Sequence, residues 1–292
     1  MSIQSLPCYL NGEFSTIDKA NISVMDRGFI FGDGIYEVVP VYGGRPFRFA
    51  EHMGRLERSL AEIRIPNLLS RDAWRDLVGQ LVERHAKSLG QAVSSLNQLI
   101  YIQVTRGVAM RDHAMPADIK PTVFAMVNSL KAVPATDIEN GVQCVSEEDF
   151  RWKKAHIKST SLLGAVLSRQ ISADVGATET IMFREGYLSE AAASNVWVVK
   201  DGKVFGPPKD NLVLEGIRYG LVAELCQQEG LSFELRRISQ AEVLDADELM
   251  LSSATKELLP VTRLDERAVG SGKPGPIFKK LYDRYQQAKA AA

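Results

Sequence analysis

The stretch Arg27-Gly-Phe-Ile-Phe-Gly-Asp-Gly34, running on into Ile35-Tyr-Glu-Val-Val-Pro-Val-Tyr42, decides the class of fold. Gly-Asp-Gly at 32–34 reads as turn chemistry, because glycine reaches backbone conformations closed to other residues. The β-branched and aromatic run Ile35 to Tyr42 then reads as a strand that turns at Gly43-Gly44. The glycines come before this strand, and nowhere does a strand lead into G-x-G-x-x-G, so a doubly wound dinucleotide-binding sheet is set aside. Working outward, Met53, Leu56, Leu60 and Ile63 recur at helical spacing, as do Trp74, Leu77, Val78, Leu81 and Val82. Leu99 to Thr105 and Thr122 to Val127 read as strands. Helices and strands mix without strict βαβ alternation, which predicts an α+β fold.

The second half repeats that mixture. Leu162, Leu163, Val166, Leu167 and Ile171 mark a helix, Thr180–Phe183 and Asn195–Val199 strands, and a helix runs from Gly216-Ile217 toward Gln228. Ser239-Gln-Ala-Glu242 is a capping-box pattern, Glu248–Leu251 a strand, and Ile277–Tyr285 a closing helix, with an alanine-rich tail after Gln287 expected to fray. Asn128 to Pro134 has no clear period and ends in proline. It is taken as the linker between a smaller N-terminal α+β domain, 1–127, and a larger C-terminal domain, 135–292, which the family resemblance below makes the cofactor-binding one.

With 292 residues, 35 Lys+Arg against 36 Asp+Glu and a net charge of −1, the chain has no global field for nucleic acid or an anionic membrane. Three cysteines, Cys8, Cys144 and Cys226, lie far apart and in no CxxC arrangement, so neither a disulfide framework nor a structural zinc site is expected. The four histidines are too scattered for a metal site. The N-terminus lacks the basic and apolar regions of a signal peptide, and no apolar run approaches the roughly 20 residues of a membrane helix. A soluble, cytoplasmic protein is expected. HExxH, GxSxG and GxxxxGK[ST] are all absent.

Four segments mean little singly. Lys158, in His156-Ile-Lys158-Ser, reads alone as an exposed lysine before a helix. Glu190 precedes the small residues Ala191-Ala-Ala-Ser194, which would let a flat ring approach the backbone, yet it also reads as a loop acid. Leu214-Glu-Gly-Ile217-Arg218 opens a helix whose free N–H groups suit a phosphate. Ser252-Ser-Ala-Thr255 offers hydroxyls at a strand end.

Together with Asp26 to Glu37, Glu51-His-Met-Gly-Arg55-Leu, Val104-Thr-Arg-Gly107 and Arg111-Asp-His113, these segments resemble the fold-type IV pyridoxal-phosphate enzymes, above all the D-amino-acid transaminases. The matches occur in the family's order and span nearly the whole chain. The resemblance implies pyridoxal 5'-phosphate as cofactor, covalently attached at Lys158, whose amine must shed its proton to act and then shuttles a proton during catalysis. It implies that Glu190 faces the pyridine nitrogen and that Leu214 packs beneath the ring. Arg55, the backbone at Ile217, and the hydroxyls of Ser253 and Thr255 would hold the phosphate. Tyr36, Arg111 and His113 would bind the substrate carboxylate, the last two reaching in from the partner subunit of a homodimer. Orientation at that carboxylate would set chirality, giving amino transfer between a D-amino acid such as D-alanine and a 2-oxo acid such as 2-oxoglutarate by a ping-pong route.

Arg218 and Ala254 depart from the hydroxyl residues common near the phosphate in this family, and Arg218 is kept as a cofactor-side candidate. Ser161 stands where relatives often carry an amide. The competing readings are, on the same fold, an aminodeoxychorismate lyase, a branched-chain L-transaminase or an (R)-amine transaminase. Outside enzymes, the rival is a non-catalytic binder of the cofactor.

Overall fold

The computed structural model describes residues 5–291, which divide into two compact units, one up to Lys131 together with Ile157–Leu162, the other Ala132–His156 with Leu163–Ala291. In the first unit the elements are β1 (Pro7–Leu10), β2 (Glu13–Thr16), α1 (Arg27–Phe31), β3 (Gly34–Tyr42), β4 (Arg45–Pro46), α2 (Phe49–Glu62), α3 (Arg71–Leu89), β5 (Asn97–Thr105) and β6 (Thr122–Ser129). In the second they are α4 (Ala135–Asn140), β7 (Val142–Glu148), α5 (Leu163–Asp174), β8 (Glu179–Arg184), β9 (Tyr187–Ala191), β10 (Asn195–Lys200), β11 (Lys203–Gly206), α6 (Arg218–Gln228), β12 (Phe233–Leu235), α7 (Gln240–Leu244), β13 (Glu248–Ser253), β14 (Glu257–Leu264), β15 (Arg267–Ala268) and α8 (Pro276–Ala291). The mixture is α+β.

The first unit is one antiparallel sheet in the order β2-β1-β6-β5-β3-β4. Alternation along β3 and β5 sends Ile35, Val39, Ile100, Ile102 and Val104 into a core closed by Met53, Leu56 and Leu60 of α2 and Trp74, Val78 and Leu81 of α3. The opposite sheet face carries half-buried Tyr36, Val38, Tyr101 and Gln103. The stretch just before the Gly-Asp-Gly turn, given no element by the sequence, forms α1: Asp26 caps it by accepting from the Gly28 amide, and Gly32 ends it at φ 65°. Five residues are too few for periodicity to reveal. Here the start is fixed by distant residues, since Thr105 and Thr122 donate their hydroxyls to Asp26 at 2.7 and 2.6 Å.

The second unit holds a mixed sheet in the order β12-β11-β10-β13-β14-β7-β8-β9, with β15 on β14. Val196, Val198, Leu249, Leu251, Leu259 and Val261 fill its core. The capping box at Ser239 and Glu242 is present in both directions.

Three details differ from the sequence reading. β6 runs on to Ser129 and the change of unit follows Lys131, so the segment 128–134 begins inside a strand. Ile157–Leu162, assigned by sequence to the second domain, groups with the first, because Ile157 is buried in that core and the segment pairs with β3. The alanine-rich tail stays helical to Ala291, held by Lys289, whose ammonium lies 2.6 Å from Glu257.

Candidate active site

Lys158 is fixed by its backbone. Tyr36 N donates to Lys158 O at 3.0 Å, Thr160 N donates to Gly34 O at 2.9 Å, and Lys158 N reaches the buried Ser59 hydroxyl of α2 at 3.3 Å. The ammonium sits 4.1 Å from the Tyr36 ring centroid, on the half-buried face of the sheet. Tyr36 stacks with Tyr101, whose hydroxyl, its pKa pushed by burial up to about 12, donates to Gln103 at 2.7 Å. Three residues beyond Lys158, the Ser161 hydroxyl donates to Gly32 O at 3.0 Å, and a Cβ on Gly32 would meet Ser161 Oγ at 2.8 Å.

The residue after Tyr36 on β3 turns to the opposite, core-facing side of the sheet and carries a buried charged group. Glu37 is fully buried, and it accepts from Arg55 Nε at 2.6 Å, Arg55 Nη2 at 2.8 Å and His52 Nδ1 at 2.8 Å. Burial alone would raise Glu37, but Arg55 and His52 outweigh it and hold the carboxyl well below the usual range. Arg55 is therefore placed by Glu37, with two of its nitrogens directed there.

In the second unit the acid is Glu190, 5% exposed on β9. Its Oε1 accepts from Arg151 Nη1 at 2.7 Å, and its Oε2 accepts from Asn195 Nδ2 and Leu214 N, both at 3.2 Å. Burial pushes Glu190 up to about 7, against the pull of Arg151. Arg151 is itself held by Asp149 at 2.9 and 3.0 Å, and burial of Asp149 is outweighed by that guanidinium, which keeps Asp149 below the usual carboxylate range. A carboxylate offers about four lone-pair positions, and three donors occupy Glu190, which leaves Oε1 room for one more. An aromatic ring N–H is a fitting fourth donor, and its positive charge would stabilise the ionised acid.

Asn195 gathers the remaining segments. Its Nδ2 also donates to Leu214 O at 2.9 Å, it lies opposite Ser252 in the β10–β13 register, and a Cβ on Gly216 would fall 2.0 Å from its Oδ1. Only glycine permits that approach. Just beyond, α6 starts behind Ile217 with no side-chain cap, an arrangement suited to an anion. Ser253 ends β13 and exposed Thr255 lies in the turn to β14, where Ser253 Oγ accepts from Lys256 N at 3.1 Å. The Arg218 guanidinium, by contrast, meets the Tyr285 hydroxyl of α8 at 3.0 and 3.2 Å and is buried there.

Arg111 and His113 are exposed and both flank the Phe31 ring, at 5.5 Å each. The loop between them is tied back by Arg27, which donates to Asp112 O at 2.5 Å and to Asp33 at 2.7 Å. Arg106 meets the same Asp33 at 2.8 and 3.0 Å, and the two arginines hold it below the usual carboxylate range although burial opposes them.

The first unit thus brings together Lys158 and Tyr36, with Arg55 placed by Glu37. The second brings together Glu190, Leu214 and, through Asn195, the strand end before Ser253. Sequence reasoning gave no role to Arg151, Asp149, Asn195, Glu37 or His52. Glu37 and His52 lie 15 residues apart, and Arg151 and Glu190 39 apart, so no periodic pattern links them.

The fold is shared with the branched-chain amino acid aminotransferase of Escherichia coli, at 24% identity and a TM-score of 0.87 over 97% of this chain and 94% of that one. It is shared also with the branched-chain aminotransferase of the thermophilic archaeon Thermoproteus uzoniensis solved with norvaline, at 20% identity and a TM-score of 0.85 over 98% and 96%. Residues 34–264 match the amino-transferase class IV family, and the chain belongs to it: it is an aminotransferase of fold type IV. Among relatives, it is 35% identical to the D-alanine aminotransferase of Staphylococcus haemolyticus over 96% of each chain. To that of Bacillus licheniformis it is 35% identical over 95% of each.

Proposed function

We propose that this aminotransferase uses pyridoxal 5'-phosphate to move the amino group of a D-amino acid, D-alanine foremost, to a 2-oxo acid such as 2-oxoglutarate, in two successive half-reactions. The observation that carries the cofactor reading is Glu190: a buried acid poised near neutrality with one acceptor position open is what a protonated pyridine nitrogen needs. When bound, the cofactor supplies an aldehyde that receives the amino group and a ring that draws electrons from the substrate Cα. Lys158 would hold the cofactor through its amine, and once the substrate's amino group takes that place the freed amine would move the proton from the substrate Cα. Glu190 would keep the ring nitrogen protonated, Arg151 would draw Glu190 toward the carboxylate, and Leu214 would pack against the ring.

For the phosphate, Arg55 supplies charge, and Ile217 N, Ser253 and Thr255 supply donors. With its guanidinium on Tyr285, Arg218 serves through its backbone at the start of α6. Arg111 and His113, with Tyr36, bind the substrate carboxylate, each charge-assisted hydrogen bond contributing about 1.5–3 kcal/mol. The named D-alanine aminotransferases, matched over nearly the full chain, support this choice of substrate. A homodimer is supported by apolar side chains left exposed on α5: Leu163 at 72%, Val166 at 58% and Leu167 at 50%. Three free cysteines fit a reducing, cytoplasmic setting, and among the described residues no helix is long and apolar enough to cross a membrane.

The test is a half-reaction. Holoenzyme is mixed separately with D-alanine, L-leucine and (R)-1-phenylethylamine, and the visible band of the bound cofactor is followed. Fastest bleaching by D-alanine is expected; bleaching only by L-leucine or the amine overturns the roles of Arg111 and His113. Borohydride treatment of the resting holoenzyme should tag the peptide containing Lys158, and Lys158→Ala should lower turnover by about a thousandfold.

A further inference from the structure

Glu179, the first residue of β8, is fully buried and takes no part in the roles assigned above. Its Oε1 accepts from Lys256 Nζ at 2.8 Å and from Ser194 Oγ at 2.9 Å, while its Oε2 is buried without a hydrogen-bond partner among the described residues. Ser194 ends the turn that leads from Glu190 to Asn195. Lys256 ends the turn that follows Ser253 and carries Thr255, and its own amide is the donor received by Ser253 Oγ. One buried carboxylate therefore clips two turns together: the one beside the ring-facing acid and the one that offers hydroxyls to a phosphate.

The carboxylate of this pair is buried while the lysine side chain is 22% exposed, so desolvation of Glu179 offsets much of the attraction and the pair tolerates few geometries. Removing the cation alone is far more disruptive than removing both charges. Glu179 would be left as a buried anion with only a hydroxyl for company, and the turn would open to bring water to it. The lysine stem and the Lys256 amide act on the same turn, so a displaced ammonium carries Ser253 with it.

Resting on the cofactor reading given above, we propose that Lys256 is a positioning residue of the phosphate turn: held on Glu179, it sets the placement of the Ser253 and Thr255 donors relative to the Ser194–Asn195 segment. Its effect is thus on recognition of the phosphate group and not on the aldehyde or the ring.

The experiment compares pyridoxal 5'-phosphate with pyridoxal, which lacks the phosphate, as ligands of the cofactor-free protein, by titrating intrinsic fluorescence. Lys256→Met is expected to weaken pyridoxal 5'-phosphate by about tenfold and to leave pyridoxal within about twofold, because only the phosphate turn has moved. Lys256→Arg keeps the pair and should stay near wild type. Lys256→Met combined with Glu179→Gln removes both charges and should recover most of the lost affinity. Equal weakening of both ligands, or no weakening, overturns the proposal. So does a double variant as weak as Lys256→Met, since Lys256 would then act through its charge on the phosphate instead of through the turn. A wild-type protein that fails to bind pyridoxal 5'-phosphate at all overturns the cofactor reading itself, a result distinct from any of these.

Discussion

Glu190 is pulled in two directions, by burial toward the neutral acid and by Arg151 toward the carboxylate, and it rests near neutrality. Its folded pKa of about 7 lies above the ordinary 4.5, so folding disfavours the ionised form. Its contribution to stability is therefore full below about pH 4.5 and is lost as pH rises through 7. Glu37, Asp33 and Asp149 are shifted the other way; their contributions are complete above the ordinary carboxylate range and fall away only in acid, so they are constant from pH 5 to 8. Melting of the cofactor-free protein should accordingly show Glu190→Gln gaining on wild type as pH increases over that interval, by about 2–6 °C for a chain of this size. A difference that stays flat with pH would mean that Glu190 titrates as an ordinary glutamate. Arg151→Met should push Glu190 higher still, and the expected sign is a weaker, more pH-dependent hold on the cofactor above pH 7 with little change below it.

At the scale of elements, the start of α6 depends on Gly216. Gly216→Ala drives a methyl to within 2.0 Å of Asn195 Oδ1, the residue that also holds Glu190 and Leu214. Overpacking of this kind costs about 1–3 kcal/mol, and here it displaces the helix start and Glu190 together. Equilibrium titration should show affinity for pyridoxal 5'-phosphate falling by more than tenfold, or about 1.4 kcal/mol, while urea unfolding shows a loss of similar size. Elements with a long apolar period were legible in the sequence: α2 and α3 follow their leucine, valine and tryptophan spacing, and α7 follows its capping box. The short α1 was not, because its start is set by Thr105 and Thr122, residues far along the chain. For the same reason motif matching could point to Lys158 and Glu190, whereas Arg151 and Asn195 emerged only from contacts made across the sheet and its loops. Arg218 carried a plausible charge for a phosphate, and no local pattern could reveal that Tyr285 takes its guanidinium.

At the scale of the whole molecule, two sets of exposed apolar side chains call for a partner. One is on α5, Leu163, Val166 and Leu167; the other lies in the first unit, where Phe29 is 68%, Val108 51% and Met110 84% exposed, the last two close to Arg111 in sequence. With a net charge of only −1, little electrostatic repulsion opposes self-association. A particle of about twice the 32.2 kDa chain mass is expected by light scattering, and Val166→Asp with Leu167→Lys should shift it toward the monomer. Subunit mixing then asks whether Arg111 serves its own chain's Lys158 or a partner's. Lys158→Ala and Arg111→Ala proteins are each expected to be nearly inactive. If Arg111 acts across the dimer, a hybrid has one site with both lesions and one with neither. Random reassortment of equal amounts makes half the dimers hybrids, so about a quarter of wild-type activity should return. If Arg111 acts within its own chain, every site in the hybrid keeps one lesion and no activity returns on mixing. The monomer-shifting variant gives the matching result in the absence of hybrids: borohydride should still tag its Lys158 peptide, while turnover of D-alanine should fall with the dimer fraction.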